Sequence, residues 1–243
     1  MKRRKFLNIS TLIGASAYLS PRILLSSSIK RPKLKLGFIG TGLRGQGMMH
    51  LATYRNDVDI PVICDIDDGM IDKAIKVLKK ASRPIPKVYN NGDEDFRNML
   101  DNEDLDGVFI ATPWEWHHPM SVAAMKAGKH VGTEVPAALT VADCWDLVNT
   151  SEKTGKFCMI MENVCYRRDV LAVLNMVRSG LLGELLHCQG GYQHDLRGVK
   201  FNNGLQPYGG GVEFGDKGYS ESKWRTNHSV NRNGDLYPTH GLG

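Results

Sequence analysis

The chain has 243 residues, enough for one large domain or for one domain and part of another. Its net charge of +5 belongs to the leader: nine of the 31 basic residues and none of the 26 acidic ones fall in residues 1–35, which leaves 22 basic against 26 acidic side chains in the remainder. That balance excludes a nucleic-acid footprint, and beyond the leader no segment is apolar enough to span a membrane, so no transmembrane anchor is expected in the mature protein.

The leader (residues 1–33) opens on Lys2, Arg3, Arg4 and Lys5, followed by a mostly apolar run from Phe6 to Leu19. That run has signal-peptide length, and no clear small-residue cleavage site follows it. The stretch Arg3-Arg4-Lys5-Phe6-Leu7 resembles a twin-arginine signal, the route that exports proteins already folded. The alternative is an ordinary secretory signal with chance arginines. Either way the expected location is outside the cytoplasm, and the twin-arginine reading places it in the periplasm.

After the leader, apolar runs alternate with helical patterns. "LKLGFIG" (34–40) reads as a strand, a glycine turn and a helix from Leu43 follow, and "IPVICDID" (60–67) is a second strand. In "GMIDKAIKVLKKAS", Met70, Ile71, Ala74, Ile75 and Leu78 recur at helical spacing, with lysines on the other face. "DGVFIATP" (106–113) is a strand ended by Pro113. "PMSVAAMKAGK" is a helix closed by Gly128, and "HVGTEVP" (130–136) is a strand. "TVADCWDLVNTSEKTG" is a helix with Thr140 as N-cap and Asp143 three residues on. "KFCMIMEN" (156–163) is a strand, and Arg168 to Ser179 a helix with Val170, Leu171, Leu174 and Val177 on one face. "ELLHCQGGYQHDL" (184–196) reads as one strand, and "YGGGVEFG" as a flexible loop.

This order predicts an α/β fold: an N-terminal Rossmann domain with a doubly wound parallel sheet over 34–165, then the start of an α+β substrate domain over 166–243. The five cysteines (Cys64, Cys144, Cys158, Cys165, Cys188) have neither C-x-x-C nor zinc-like spacing, so no metal site is expected. Cys64 and Cys158 lie in strand-like apolar runs, where a buried thiol is the usual outcome.

Gly40-Thr41-Gly42-Leu43-Arg44-Gly45 is G-x-G-x-x-G, between a strand and a helix as the motif requires. Gly40 permits the tight turn, Gly42 lets the backbone approach a pyrophosphate, and Gly45 lets the helix pack close to the sheet. Asp65 ends the second strand, where a carboxylate accepts hydrogen bonds from ribose hydroxyls and repels a 2′-phosphate. The expected cofactor is therefore NAD rather than NADP. A merely structural glycine turn is the alternative.

The segment "ATPWEWHHPMSVAAMKAGKHVGTEVPAAL" (111–139) resembles the Gfo/Idh/MocA oxidoreductase superfamily. There a Glu-Lys-Pro triplet ends the fifth strand, and its lysine assists hydride transfer. Here the triplet is Glu134-Val135-Pro136, and valine can neither donate a proton nor pair with a hydroxyl, which counts against plain dehydrogenase chemistry. Trp114-Glu115-Trp116-His117, "ENVCYRRDV" (162–170), "GGYQHDLR" (190–197), "KWRTNH" (223–228) and "NRNGDLYPTHG" (231–241) together resemble glycoside hydrolase family 109, the NAD-dependent α-N-acetylgalactosaminidases. The resemblance covers essentially everything after residue 33.

That resemblance implies a set of roles. Leu43, Arg44, Asp65, Trp114, Glu115, Trp116, His117, Glu134, Val135 and Asn163 would line NAD. Tyr192, Arg225, Tyr237, Pro238, Thr239 and His240 would line the sugar, with His194 on the face of Tyr192. It also implies an NAD-dependent oxidation–elimination–addition–reduction route with retention, the cofactor staying bound and being recycled in each turnover. His240 and Tyr237 are the expected catalytic residues, with Tyr192 and His194 in support.

Each residue also has a plainer reading. Trp114 and Trp116 could be core aromatics, and His117 could cap the following helix. Tyr192 and His194 could form a solvated strand face, Tyr237 to His240 a proline turn, and Arg167 and Arg168 surface ion pairs. The chain stops within the Tyr-Pro-Thr-His-Gly motif, so it reads as truncated, and the 243-residue fragment is expected to be unstable or inactive. A homo-oligomer stays open. So do two other functions: an NAD-dependent sugar dehydrogenase, and a non-catalytic sugar- or NAD-binding module.

Overall fold

The computed structural model describes residues 32–193, 207–208, 212–213 and 240. Six strands form one sheet in the order β3-β2-β1-β4-β5-β6: β1 (Leu34–Ile39), β2 (Val58–Cys64), β3 (Lys87–Tyr89), β4 (Gly107–Ile110), β5 (His130–Thr133) and β6 (Cys158–Ile160). Every neighbouring pair is parallel. Helices α1 (Leu43–Thr53), α2 (Asp68–Lys80), α3 (Asp95–Asn102), α4 (Trp114–Lys126) and α5 (Val141–Thr154) make the crossovers, and α6 (Arg168–Arg178) follows. This is the doubly wound α/β sheet that the sequence predicts. Its order reverses between β1 and β4, and a crevice opens there at the strands' carboxyl ends.

Successive strand residues point to opposite faces. Phe38 and Ile63 pack with Met49, Ile71, Ala74 and Leu78 beneath α1 and α2. Their neighbours Ile39, Val62 and Cys64 pack with Phe96, Met99, Ile110, Met120 and Met125 beneath α3 and α4. The two clusters are the reason the strands read as unbroken apolar runs: both faces are covered.

The helices start where the chain supplies caps. The Asp67 carboxylate accepts from the amides of Gly69 and Met70 at 2.8 and 3.1 Å and opens α2. Thr140 and Asp143 close a reciprocal capping box on α5, and Gly155 ends that helix at φ +67°.

Three expectations are corrected. Helix α4 starts at Trp114, not at Pro119, so Pro119 sits inside it. Burial of Trp114, His117 and Ser121 against the sheet holds the early turns in place and offsets the lost amide. The expected strand over 184–196 is absent from its described part: residues 184–193 are irregular and exposed. A strand needs a ladder partner, and among the described residues none pairs with this segment. Finally, the glycine-rich "YGGGVEFG" segment is not loop throughout, since Pro207–Tyr208 and Val212–Glu213 pair antiparallel as β7 and β8.

The strands are also shorter at their carboxyl ends than the apolar runs suggest. Their last paired residues form one row across the sheet: Tyr89, Cys64, Ile39, Ile110, Thr133 and Ile160. The next residues form a rim whose amides still reach the last ladder carbonyls: Gly40 to Cys64 at 2.8 Å, Ala111 to Ile39 at 2.8 Å, Glu134 to Ile110 at 2.9 Å and Met161 to Thr133 at 2.9 Å. The rim is therefore fixed by the sheet while its side chains are released from the strand alternation.

Candidate active site

A cleft lies on this rim. Gly40, Gly42, Arg44, Asp65, Trp114, Trp116, His117, Glu134 and Val135 line it, together with Asp67, Met70, Gly92 and Asp93. Of the residues expected at the cofactor, Leu43, Gly45, Glu115 and Asn163 lie outside its wall. Gly45 is buried where α1 meets the loop, whereas Glu115 and Asn163 are exposed. Asp67, Gly92 and Asp93 escape sequence reading because they sit in the connections after β2 and β3, and β3 is only three residues long.

The glycine loop is compact enough to exclude side chains. Gly40 has φ +90°, and a Cβ there would stand 2.5 Å from the Ala111 carbonyl oxygen. A Cβ on Gly45 would stand 2.1 Å from the Gly40 carbonyl oxygen. Gly42 caps α1 without a side-chain hydrogen bond, and the first turn carries no acidic residue. The positive end of the helix is thus uncompensated by any acidic side chain of its own first turn and suits an anion.

Asp65 binds the loop from the next strand. Its Oδ2 accepts from the Thr41 amide at 2.5 Å and the Thr41 hydroxyl at 3.0 Å, and its Oδ1 accepts from the Asp67 amide at 3.0 Å. Across the crevice, Arg44 Nε donates to Glu134 Oε1 at 2.5 Å. Arg44 is half-exposed, so this pair orients the arginine more than it stabilises the fold.

His117 does not cap a helix. Its Nδ1 lies 2.7 Å from the Pro136 carbonyl and its Nε2 2.8 Å from the Thr112 carbonyl. The ring thereby ties the loop after β4 to the loop after β5. Burial pushes its pKa below the ordinary histidine value, and the two carbonyls oppose that shift. The tryptophans serve both readings: Trp114 is buried and Trp116 meets Phe96 edge to face at 6.2 Å, yet both reach the cleft. Arg167 pairs with Asp169 at 2.7 Å on the surface.

A second cluster sits beyond β6. Glu162 follows the rim residue Met161, and only 8% of it is exposed. Its Oε1 accepts from the Val164 amide at 2.5 Å, and its Oε2 lies 2.6 Å from His240 Nδ1. The Tyr192 ring stands 5.0 Å from the His240 ring. The structure thus brings Tyr192 and His240 together and adds Glu162, which sequence reasoning missed. No local pattern could have linked Glu162 to a histidine 78 residues away. His194, Arg225, Tyr237, Pro238 and Thr239 lie outside the described residues.

The comparisons with known proteins divide the chain similarly. Residues 34–162 match the GFO_IDH_MocA model, described as an oxidoreductase family with an NAD-binding Rossmann fold. The chain belongs to the Gfo/Idh/MocA oxidoreductase family. Within that family it closely resembles glycoside hydrolase family 109, because residues 166–243 match the model for the glycosyl hydrolase 109 C-terminal domain.

A glycosyl hydrolase family 109 protein of Stenotrophomonas maltophilia (strain K279a) is 50% identical over 100% of this chain and 54% of its own length. An alpha-N-acetylgalactosaminidase of Tannerella forsythia is 55% identical over 86% of this chain and 46% of its own. The chain spans about half the length of these curated relatives.

Among solved structures, an NAD-binding protein from Listeria innocua matches at TM-score 0.55 and 26% identity, over 65% of this chain and 42% of that one. A myo-inositol 2-dehydrogenase from Lactobacillus plantarum matches at TM-score 0.57 and 22% identity, over 66% and 45%, and shows the shared fold.

Proposed function

We propose that the protein to which this chain belongs is a glycosidase that releases terminal α-linked N-acetylgalactosamine with NAD as a bound, recycled cofactor. The observation that carries this reading is the junction at residues 162–166, where an NAD-binding Rossmann domain runs directly into a family 109 C-terminal domain. The named N-acetylgalactosaminidase relative, 55% identical over the shared region, supports the substrate.

The residues present fit the cofactor. Gly40 and Gly45 leave no room for a side chain, the N-terminus of α1 has no side-chain cap and suits a pyrophosphate, and Asp65 directly follows β2. Gly40, Gly42 and Arg44 would hold the phosphates, and Asp65 the ribose. Bound there, NAD would take a hydride from C3 of the sugar and return it at the end of the turnover.

The chain's own groups handle protons. Once C3 is a ketone, the C2–H bond is acidified. His240 would take that proton, while the electron pair moves toward C1 and the C1–O bond breaks. The departing oxygen receives a proton from a neighbouring acid, for which Tyr237 is the candidate. Water then adds at C1 and C2 regains a proton. Arg225, Thr239 and Pro238 would contact the sugar, with Tyr192 and His194 beside the base. Val135 lines the cleft where the family places lysine, so the C3 hydroxyl proton would pass instead to Tyr192 or His194 as the hydride leaves, and return to the oxygen when the hydride returns.

Over one turnover the redox change is zero, so NAD need not be supplied from outside. A twin-arginine leader would export the folded protein with its cofactor inside. The test uses a chain carried to the relatives' length and an aryl α-N-acetylgalactosaminide. Release of the aryl group without net NADH absorbance is the expected result. Stoichiometric NADH would mean a dehydrogenase, and binding without turnover a non-catalytic module. Protein purified from the periplasm should contain dinucleotide, and dinucleotide-free protein that folds normally would overturn the captive-cofactor reading.

A further inference from the structure

We infer that Glu134 is a positioning residue for Arg44: their ion pair is a strap across the cleft that aims the arginine's terminal nitrogens at the phosphates of a dinucleotide and slows its release. The inference rests on the cofactor part of the proposed function and is independent of the sugar chemistry.

The two partners stand on opposite sides of the crevice. Arg44 lies in the first turn of α1, which follows β1, and Glu134 is the rim residue after β5. Strand β4 lies between β1 and β5, so the two strand ends are two sheet spacings, about 10 Å, apart. Arg44 Nε and Glu134 Oε1 close that gap at 2.5 Å. Both residues line the cleft, as do Ala111, Thr112 and Pro113 at the end of β4 between them. A dinucleotide reaching from the start of α1 to Val135 therefore crosses the line of the bridge.

Both ends of the strap are anchored. The Glu134 amide donates to the Ile110 carbonyl at 2.9 Å, and two residues on the Pro136 carbonyl lies 2.7 Å from His117 Nδ1. The Glu134 side chain is only 11% exposed, so its direction is set by the packed rim. On the other side, Gly45 seats α1 against the Gly40 carbonyl, and Gln46 Nε2 donates to the Thr41 carbonyl at 2.8 Å.

The bridge uses one of the five N–H groups of the guanidinium. Among the described residues, neither terminal nitrogen of Arg44 has a hydrogen-bond partner, and no acidic residue of the first turn of α1 competes for them. A guanidinium fixed through Nε keeps its terminal fork for a phosphate, so one side chain grips the rim and the ligand together. Lysine, a single point charge, offers no such fork.

The test is a double-mutant cycle in a chain carried to the relatives' length, comparing wild type, Arg44→Ala, Glu134→Ala and the double variant. Each is loaded with radiolabelled NAD and chased with unlabelled NAD, and the dissociation rate is read beside the association rate and the urea midpoint. R44A and E134A should each speed dissociation roughly fivefold to fiftyfold, with association within about threefold. The double variant should release NAD no faster than R44A, because Glu134 acts through the arginine. E134Q, which keeps an acceptor for Nε, should recover part of the retention.

Single effects that multiply in the double variant would overturn the inference, since they mark two independent contacts with the ligand. So would an E134A variant that releases NAD at the wild-type rate, or one whose faster release comes with a lowered urea midpoint that R44A does not share. Should E134A fail to fold, E134Q takes its place in the cycle. A wild-type chain that binds no NAD would sink the cofactor reading and the strap together, whereas multiplying effects in a chain that binds NAD sink the strap alone.

Discussion

At the scale of single residues, the cleft depends on groups that cannot be exchanged for close analogues. Gly45→Ala would force a Cβ to 2.1 Å from a backbone carbonyl oxygen, a contact no side-chain movement relieves. The expected cost is about 1–3 kcal/mol, with dinucleotide retention lost, measured by urea unfolding and by the absorbance of released cofactor. Cys64 lines the same cleft, and burial pushes its thiol up to about 12, with Asp65 adding to the shift. It stays protonated at neutral pH and unreactive, whereas the exposed Cys144 and Cys188 are open to reagent. Alkylation of the folded chain followed by peptide mapping should label those two and spare Cys64 until denaturant is added.

His117 gives a pH signature. Its folded-state pKa lies below the ordinary 6.5, chiefly through burial. Below that ordinary value the unfolded chain binds the proton more readily than the folded one. The stability contributed by neutral His117 is therefore complete above about pH 6.5 and declines as pH falls toward the folded-state value. His117→Phe should cost about 1–3 kcal/mol at neutral pH, because the neutral ring's one N–H bond to a loop carbonyl is lost. It should also flatten the decline on the acid side. A variant with the wild-type acid slope would show that another group controls it.

At the scale of elements, the sequence is read well where a strand is buried on both faces and poorly where it ends. The runs at 34–40, 60–67, 106–113 and 130–136 correspond to strands because each supplies side chains to a covered sheet, and the run at 156–163 is the edge strand β6, recognised from its apolar run although Met159 and Ile160 are exposed. Each run continues past the last ladder pair, and the surplus residues are Gly40, Asp65 to Asp67, Ala111 to Pro113, Glu134 to Pro136 and Met161 to Asn163. The apparent overruns are thus the rim that carries the site. Strand β3 and helix α3 escape pattern reading: β3 has three residues, and α3 has eight with two adjacent pairs buried, too little for a period to emerge. The cap on α5 is legible because it is local. Thr140→Ala should lower stability by about 1 kcal/mol, seen as a shifted urea midpoint with an unchanged slope.

At the scale of the whole molecule, the second helical face tells a different story. The sequence places Val170, Leu171, Leu174 and Val177 on one side of α6, yet no residue of that helix is buried. Leu171 and Leu174 are each 39% exposed, and Leu181, Leu182, Met159 and Ile160 are exposed near them in sequence or on the edge strand β6. Exposed large apolar side chains in such number bind dyes and promote self-association. The 243-residue chain should bind an apolar fluorescent dye and elute larger than a monomer, and a chain of the relatives' length should do neither.

The central claim is that a Rossmann cleft here serves hydrolysis by transient oxidation. The measurement that tests it most directly uses that longer chain, an aryl α-N-acetylgalactosaminide and D2O, with no NAD added, and asks for deuterium at C2 of the released sugar. Deuterium at C2 is the result predicted, because His240 must remove that hydrogen and solvent must replace it. Release with the C2 hydrogen fully retained, and equally fast in a cofactor-free Asp65→Ala variant, would contradict it and leave ordinary acid–base hydrolysis in its place.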